Sequence, residues 1–287
     1  MTRDDPGTLE VVICGVARNC ARSIKRDIRT LQRAASLFRR AQVLVVESDS
    51  SDNTLAILQA LSQRDPSVRC ISLGSLRERL PQRTARIATA RNACLDELAA
   101  NPIYSAASHM VMVDLDGMCR DLTRQALASC WAADAPRWDM CGANQGDYYY
   151  DVWTIRHPQW CPGDCWREHE ALLPLLGKTA ADEVALFSRM VHIAPTRPWI
   201  EVDSAFGGLA IYRLSSIGAA RYVGLDGQGR EVCDHVGLHL AMRAAGRRLF
   251  VNPALINARS TKHAGRKKFF RTLRRKLWNA LRGQSGA

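Results

Sequence analysis

No acidic residue follows Asp234 in this chain of 287 residues, whereas 13 of the 40 Lys and Arg residues lie beyond it. The formal net charge of +12 therefore belongs to the C-terminal end, and the preceding sequence is close to neutral. A basic nucleic-acid-binding protein is one alternative for such a chain, but its cations would be expected to spread more widely. The distribution of charge disfavours that class.

Long apolar runs are also missing from the sequence. No stretch of about 18 apolar residues is present, so no membrane-spanning helix is expected. The first ten residues are polar and lack the apolar centre of a signal peptide, so the ten cysteines are expected to be reduced, as in the cytoplasm. A zinc site at Cys161 and Cys165 would need His157 and His169 as further ligands, and two free thiols are favoured instead.

Apolar runs typical of buried strands alternate with helical patterns along the chain. Strands are predicted at residues 9–16, 42–46, 68–73, 110–113, 139–143, 204–213 and 248–252. Helices are predicted at residues 23–40, 54–63, 84–99, 180–192 and 233–246. This alternation predicts a parallel sheet with helices on both faces. Residues 144–177 are predicted to be long, irregular and rich in Tyr and Trp.

Two carboxylates stand one residue apart where a predicted buried strand ends. Asp114 and Asp116 follow the apolar residues 110–113, and side chains two apart on a strand point to the same side. Close carboxylates repel each other, and a hard divalent cation such as Mg²⁺ or Mn²⁺ commonly neutralises them. Ligands of parallel sheets bind outside the carboxyl ends of the strands, so the acidic loop at residues 47–54 is expected to share this rim.

Four motifs occur in an order that resembles nucleotide-sugar-dependent glycosyltransferases of the GT-A fold. They are the loop ESDSSDNT at residues 47–54, Arg86 with Arg91-Asn92, VDLDG at residues 113–117, and EVCDH at residues 231–235 before a helix. Residues 149–153 and Phe206-Gly207-Gly208 look most similar to bacterial and Cap59-like glycosyltransferases. The resemblance implies a Rossmann-like, mixed and mostly parallel α/β sheet.

The resemblance also implies a reaction, the transfer of a sugar from a UDP or GDP sugar to a hydroxyl of a glycan or lipid-linked acceptor. It further implies roles in this reaction for particular residues. The implied donor-binding residues are Glu47, Asp49, Arg86, Arg91, Asp114, Gly207 and Gly208. Mn²⁺ or Mg²⁺ would be held by Asp116, Asp114 and His263. Asp234 or Glu231 would act on the acceptor, and Tyr150, Asp151, Trp153 and Trp166 would form a sugar platform.

Each of these roles has a structural alternative. The acids of residues 47–54 could instead shape a turn, with Asp52 or Asn53 capping the following helix, and Arg91 could be a solvated helix charge. The paired glycines could form a simple turn, and Asp234 or Glu231 could merely favour a helix dipole. If the reaction retains anomeric configuration, the same acid would bind the donor sugar. His235 and His239, one helical turn apart, are expected to pack rather than bind metal.

The C-terminal segment has the pattern of a basic amphipathic helix. Residues 1–264 are predicted to form the catalytic domain and residues 265–287 a separate tail. In the tail, Phe270, Leu273, Leu277 and Leu281 share one helical face, which predicts contact with an anionic membrane surface. A helix docked on the domain and a segment that binds nucleic acid are the alternatives. Localisation is expected in the cytoplasm, peripheral at the inner membrane face.

A sugar-phosphate nucleotidyltransferase is the alternative among enzymes. Such an enzyme would be expected to show a Gly-rich phosphate loop with Arg and Lys soon after the first strand. Val16-Ala17-Arg18-Asn19 contains no such glycine series.

Overall fold

The computed structural model describes residues 4–261 and is organised around one sheet of eight strands. The strands are β1 (Glu10–Ala17), β2 (Arg40–Glu47), β3 (Val68–Ser72), β4 (His109–Asp114), β5 (Met140–Gln145), β6 (Ile200–Val202), β7 (Leu209–Arg213) and β8 (Leu249–Ala258). The α-helices are α1 (Ile24–Ala34), α2 (Thr54–Arg64), α3 (Arg83–Ala100), α4 (Arg124–Ala128), α5 (Cys165–Ala185), α6 (Leu214–Ile217) and α7 (Asp234–Ala244).

The sheet is mixed and mostly parallel, in the order β3-β2-β1-β4-β7-β5-β8-β6. β1 pairs in parallel with β2 and β4, β2 with β3, and β5 with β8, whereas β7 and β6 run antiparallel to their neighbours. The parallel strands bring the ends of β1, β2 and β4 to one edge of the sheet. The predicted α/β class is therefore confirmed.

Two apolar layers cover the sheet, because successive side chains of each strand point to opposite faces. Val11 and Ile13 of β1 join the layer that contains residues of α1, α2 and α4. Val12 and Cys14 join the layer that contains residues of α3 and α7. Helices on both faces are what the near-continuous apolar strands of a parallel sheet require.

The structure corrects the sequence-based boundaries at several places. The helix predicted at residues 23–40 ends at Ala34, because the chain turns and joins β2 from Arg40, opposite Glu10. The segment 144–177 is not wholly irregular, since β5 continues to Gln145 and α5 begins at Cys165. Asp164 caps α5 by accepting hydrogen bonds from the backbone N–H groups of Trp166 and Arg167. Pro174 and Gly177 interrupt the helical pattern, so the sequence did not predict the first part of this helix.

α5 is bent sharply enough to form a helical hairpin. Gly177 has φ 70° and ψ 167°, which is outside the helical region. His169 Nε2 lies 2.9 Å from Asp182 Oδ1, although the two residues are 13 positions apart. In a straight helix they would be separated by about 20 Å. The two arms of α5 therefore fold back on each other about Gly177.

None of the helices within residues 4–261 is long and apolar enough to cross a bilayer. His263 and the tail at residues 265–287 lie outside the described residues. The division into residues 1–264 and 265–287 thus stays a prediction.

His109 predicts how stability depends on pH. This histidine is fully buried in β4 between Trp131 and Trp138, with ring centroids 5.6 and 5.7 Å away. Burial, reinforced by Arg213, lowers its pKa from 6.5 to about 4. The unfolded chain therefore binds the proton first as pH falls, and His109 destabilises the fold progressively from pH 6.5 down to about 4.

We expect His109→Phe to remove this penalty while preserving the aromatic packing. The unfolding free energy of the variant minus that of wild type should be about 2 kcal/mol larger at pH 5 than at pH 7.5. Denaturant unfolding of both proteins at the two pH values measures the change, and the other titrating groups cancel in the difference. A stability difference that does not change with pH would contradict the assignment of a neutral buried His109.

Candidate functional site

A cleft of about 610 Å³ opens at the edge of the sheet where β1, β2 and β4 end. One wall is made by the turn after β1, the loop after β2 and the first half of α3. The opposite wall is made by residues 150–154, Phe206 and the start of α7. The titratable residues that line it are Arg18, Cys20, Asp49, Arg83, Arg86, Arg91, Asp114, Asp116, Tyr150, Asp151, Cys233, Asp234 and His235. The predicted rim is thus assembled, and its volume is that of a small-molecule site.

Arg91 joins the two walls. Its Nη2 lies 2.9 Å from Asp114 Oδ1 at the end of β4, and its Nε lies 2.7 Å from Asp234 Oδ2 at the start of α7. The side chain is 5% exposed, and its guanidinium carbon lies 4.8 Å from the ring centre of Phe206. Burial disfavours the charge on Arg91, but the two carboxylates raise its pKa nevertheless. Arg91 is therefore neither a solvated helix charge nor an exposed phosphate ligand.

Burial and the neighbouring charges determine the protonation state of Asp114. Burial raises the pKa of Asp114 to about 7, although Arg91 acts in the opposite direction. The neighbouring carboxylates Asp116, Asp151 and Asp234 raise it further. Repulsion between Asp114 and Asp116, inferred from their spacing, is present, and Arg91 compensates part of it.

α1 holds the turn that carries Asp116. The backbone N–H of Gly117, at φ 95°, donates a hydrogen bond of 2.8 Å to Asp27 Oδ2. The Ser23 hydroxyl donates to the carbonyl of Leu115 over 3.2 Å. Leu115 is buried while Asp116 is exposed to the cleft. Asp27 thus positions Asp116, a role that sequence reasoning missed because an acid in a helix resembles a surface charge.

The described residues can hold a metal ion only with help from a ligand. No group of three His, Cys, Asp or Glu side chains within residues 4–261 is placed to bind one. Asp116 and Asp114 supply hard oxygen donors of the kind that Mg²⁺ and Mn²⁺ prefer, although Asp114 Oδ1 already contacts Arg91. The pair fits a cation whose remaining ligands come from a bound molecule and water.

His263, the third predicted metal ligand, lies outside the described residues. The chain shortly before it runs beside the segment that follows Asp116, since Arg120 donates hydrogen bonds to Ser260. The role of His263 therefore stays a prediction.

Glu47 and Asp49, both in the loop after β2, occupy different positions. Glu47 is 2% exposed and does not line the cleft. Its carboxylate accepts hydrogen bonds from the Ser50 N–H at 3.0 Å and the Ser72 hydroxyl at 2.7 Å, so it shapes the turn. Its predicted donor contact is thus replaced by the structural alternative. Asp52 caps α2 as expected, accepting from the Thr54 N–H at 2.9 Å.

Asp49 does line the cleft, in a left-handed conformation with φ 56°. It accepts a hydrogen bond of 2.9 Å from the Arg77 N–H, and its Oδ2 lies 3.8 Å from Arg86 Nε. Burial opposes its ionisation, but these hydrogen bonds and Arg86 lower the pKa of Asp49 overall. Arg86 also donates to the carbonyl oxygens of Leu80 and Pro81, so its charge supports the loop.

Three of the four residues predicted to form a sugar platform lie together. Tyr150, Asp151 and Trp153 line the cleft, whereas Trp166 lies outside it, 44% exposed on α5. The role of the three as a platform stays a prediction. Burial raises the pKa of Asp151. Hydrogen bonds that its carboxylate accepts from the Gly207 N–H at 3.0 Å and the Thr154 hydroxyl at 2.8 Å offset part of this rise.

Gly207 and Gly208 lie behind the cleft wall rather than on it. Their φ angles are 71° and 81°. A Cβ on Gly207 would lie 2.5 Å from the Ala143 carbonyl oxygen, so no side chain fits there. The Gly208 carbonyl accepts a hydrogen bond of 3.0 Å from the Asp114 N–H. Instead of the predicted direct contact with a donor, the glycines place Asp114 and Asp151.

The two candidate catalytic acids are separated by the structure. Asp234, at the first position of α7, faces the cleft, whereas Glu231 is exposed outside it. Glu231 Oε1 accepts a hydrogen bond of 3.0 Å from the backbone N–H of Arg83, the first residue of α3. Glu231 is therefore a helix cap, which corrects its predicted catalytic role.

The two histidines of α7 pack as expected. His235 stacks on Phe206 with ring centroids 3.8 Å apart. His239 is hydrogen-bonded to the hydroxyl groups of Ser204 and Tyr212, at 2.8 Å each. The zinc site considered at Cys161 and Cys165 does not form within residues 4–261, where both cysteines are free thiols and His169 contacts Asp182.

Sequence reasoning missed two cations at the mouth of the cleft. Arg18, in the turn after β1, and Arg83, at the start of α3, are exposed and line the cleft. Neither forms an ion pair with an acidic side chain within residues 4–261, in contrast to Arg86 and Arg91. The only signal was their position at the carboxyl edge of the sheet, which becomes visible once the fold is known.

Comparison with known proteins gives likenesses of structure only. No family model matches the sequence, and no curated protein does. Among solved structures, the mannosyltransferase PcManGT from Pyrobaculum calidifontis, in complex with GDP-Man and Mn²⁺, is similar over 90% of this chain and 58% of its own, at 16% identity and a TM-score of 0.48. Glucosyl-3-phosphoglycerate synthase from Mycobacterium tuberculosis, in complex with UDP, is similar over 88% and 69%, at 14% identity and a TM-score of 0.43.

S. aureus TarS, residues 1–349, is similar over 85% of this chain and 58% of its own, at 13% identity and a TM-score of 0.43. This chain thus spans less than two thirds of PcManGT and of the TarS fragment. At these identities and TM-scores the likenesses assign no activity to the chain. Function is inferred from the cleft itself.

Arg91→Met should destabilise the fold, because it leaves the carboxylates of Asp114 and Asp234 without their common counter-charge. We expect a loss of about 3 kcal/mol at pH 7.5, at the low end for a broken buried pair because the Asp114 side chain is 30% exposed. Urea unfolding measures the loss. Adding Asp234→Asn should restore part of it, with the single Asp234→Asn variant completing the double-mutant cycle. A loss below about 1 kcal/mol would place Arg91 among ordinary surface charges.

Proposed function

We propose that this protein is a metal-dependent glycosyltransferase, which transfers a sugar from a nucleoside-diphosphate sugar to a hydroxyl acceptor. The observation that carries the proposal is one cleft whose two walls carry different side chains. At the ends of β1 and β4 and the start of α3 lie the carboxylates Asp114 and Asp116 with the cations Arg18 and Arg83. On the other wall lie the half-buried Asp151 and the buried Asp234, beside aromatic side chains. A diphosphate with its metal suits the first half, and a sugar with its acceptor suits the second.

The donor half would hold the nucleotide through this chain's own polar groups. Asp49 would accept hydrogen bonds from a base or ribose, since the segment after β3 fixes its position: its backbone N–H donates to the Gly74 carbonyl at 3.0 Å, and its carboxylate accepts from the Arg77 N–H at 2.9 Å. Arg18 and Arg83 would pair with the phosphates, because arginine offers several N–H donors to phosphate oxygens. UDP and GDP sugars are the proposed donors.

A divalent metal would be held by Asp116 together with Asp114 and, as proposed from the sequence, His263. When bound, Mn²⁺ or Mg²⁺ would neutralise the diphosphate leaving group as a Lewis acid. Asp27 and Ser23 keep the turn of Asp116 in place for this purpose. Burial raises the pKa of Asp114 to about 7, and Arg91 offsets part of that rise, which favours the ionised form.

The acceptor half offers Asp234 and Asp151 as acids and Tyr150 and Trp153 as stacking surfaces. If the transfer inverts the anomeric centre, Asp234 would accept the proton of the acceptor hydroxyl. If the transfer retains it, the same carboxylate would bind the donor sugar. Contact with Arg91 fixes the orientation of Asp234 in either case. A glycan or a lipid-linked sugar is the proposed acceptor.

Two rival functions are less well supported. A sugar-phosphate nucleotidyltransferase would need phosphate-binding glycines after β1, but that turn carries Arg18 and Asn19, and Asn19 accepts a hydrogen bond of 2.7 Å from the Ser51 N–H. A nucleic-acid-binding surface would have to accommodate phosphates beside Asp114, Asp116 and Asp151, which repel them in the absence of metal.

Nucleoside diphosphates should stabilise the protein chiefly when a divalent metal is present. At about 100 times its dissociation constant, bound UDP or GDP should add roughly 2.7 kcal/mol to the unfolding free energy. Thermal-shift measurements with UDP, GDP, CMP and dTDP sugars, with Mn²⁺ and with EDTA, test this. Asp116→Asn should abolish the metal-dependent part. Equal stabilisation in EDTA would refute the shared metal site.

Asp234→Asn should lower turnover by about 10²–10⁴-fold, the range for loss of a general base, while leaving nucleotide binding within a few-fold of wild type. Donor hydrolysis, with water as acceptor, provides the rate, and calorimetric titration provides the binding. Glu231→Gln is the matched control, because the amide oxygen can still cap α3, and its rate should stay near wild type. Loss of activity in the control alone would reverse the assignment of the two acids.

A further inference from the structure

The hairpin formed by α5 projects an apolar tip. Its two arms are held together at their base by His169 and Asp182, at 2.9 Å, and by Arg189, which pairs with Glu168 on the first arm. At the turn, Leu173, Leu175 and Leu176 are 41%, 78% and 48% exposed. We call these three side chains the leucine tip. The neighbouring residues 177–180 are exposed as well.

Such a cluster is unusual on a soluble protein. A single exposed leucine needs no explanation, but several contiguous ones indicate a surface that binds something apolar. The tip is three leucines wide, whereas a stable protein–protein interface uses about 20–30 residues on each side. A second copy of the chain, or another protein, would thus gain too little contact from this tip alone.

We propose that the leucine tip inserts into the interfacial region of a lipid bilayer. A projecting apolar turn can enter lipid without needing a complementary groove. The charge of the turn does not oppose this partner, since residues 171–181 contain no acid and their one cation, Lys178, is paired with Asp182 at 2.9 Å. The apolar side chains therefore supply the attraction to lipid.

The hairpin is connected to the acceptor half of the cleft. Asp164, which caps the start of α5, also accepts a hydrogen bond of 3.0 Å from Trp153 Nε1, and Trp153 lines the cleft. Insertion of the tip would therefore place this wall of the cleft near the membrane surface. That a lipid-linked acceptor is served in this way rests on the proposed function, but the membrane contact does not.

Vesicle binding by the full chain tests the contact. The probes are vesicles of phosphatidylcholine alone and with phosphatidylglycerol, in about 0.5 M salt so that attraction to the basic C-terminal segment is screened. Leu173→Gln, Leu175→Gln and Leu176→Gln together should lower the partition coefficient at least about tenfold on both vesicles, since burial of apolar surface supplies the binding. The matched control is Leu240→Gln, a leucine 48% exposed on α7, which should bind like wild type.

Depth of insertion gives a second measurement. The fluorescence of the tryptophan introduced by Leu175→Trp should be quenched by brominated lipids, and its emission should shift to the blue. The tryptophan introduced by Leu240→Trp should show neither change. Donor binding measured in parallel should be unaffected by the triple variant, so failure of this proposal and failure of the proposed function remain distinguishable. The proposal is overturned if wild type does not bind, if the triple variant binds equally, or if the tip instead mediates dimers detected by sedimentation.

Discussion

The structure depends on one buried cation. Arg91 reaches from α3 to Asp114 at the end of β4 and to Asp234 at the start of α7, and it packs over Phe206. Without this charge, carboxylates from three segments would face one another in a poorly solvated cleft, and burial alone would favour their protonated forms. Arg91 therefore makes it possible for the sheet edge to be rich in acids and still fold. It also joins the end of β4 to the start of α7 across the cleft.

The same contacts bear on the proposed metal site, which would be completed only by a bound ligand. Arg91 engages Asp114, so the described chain offers few oxygen donors to a cation, and no set of three ligands forms within residues 4–261. A ligand that brings its own phosphate oxygens would complete the coordination. In the proposed function, metal binding is thus linked to nucleotide binding through the geometry of these residues. The exposed arginines of the cleft mouth, Arg18 and Arg83, would act in the same direction by attracting phosphate.

Much of the fold follows from the sequence because apolar runs and helical periodicity are local signals. The parallel strands, and with them the rim where Asp114 and Asp116 lie, were predicted from spacing alone. The partners of individual side chains are not local: Glu231 caps α3, and Arg91 meets Asp234 far along the chain. The family resemblance could therefore name Arg91 and both acids, but it could not distinguish a helix cap from a residue of the cleft. The hairpin of α5 was missed because Pro174 and Gly177 break the periodicity on which helix prediction relies.

The central claim is that the metal and the nucleoside diphosphate complete one site together with Asp116. Electron paramagnetic resonance of Mn²⁺ tests it most directly, because free and protein-bound ions give different spectra. The account predicts that the protein alone leaves most Mn²⁺ free and that adding UDP or GDP produces a bound signal beyond that of the Mn²⁺–nucleotide complex. This signal should be absent in Asp116→Asn. Tight binding of Mn²⁺ without nucleotide, or a ternary signal unchanged in Asp116→Asn, would contradict the account.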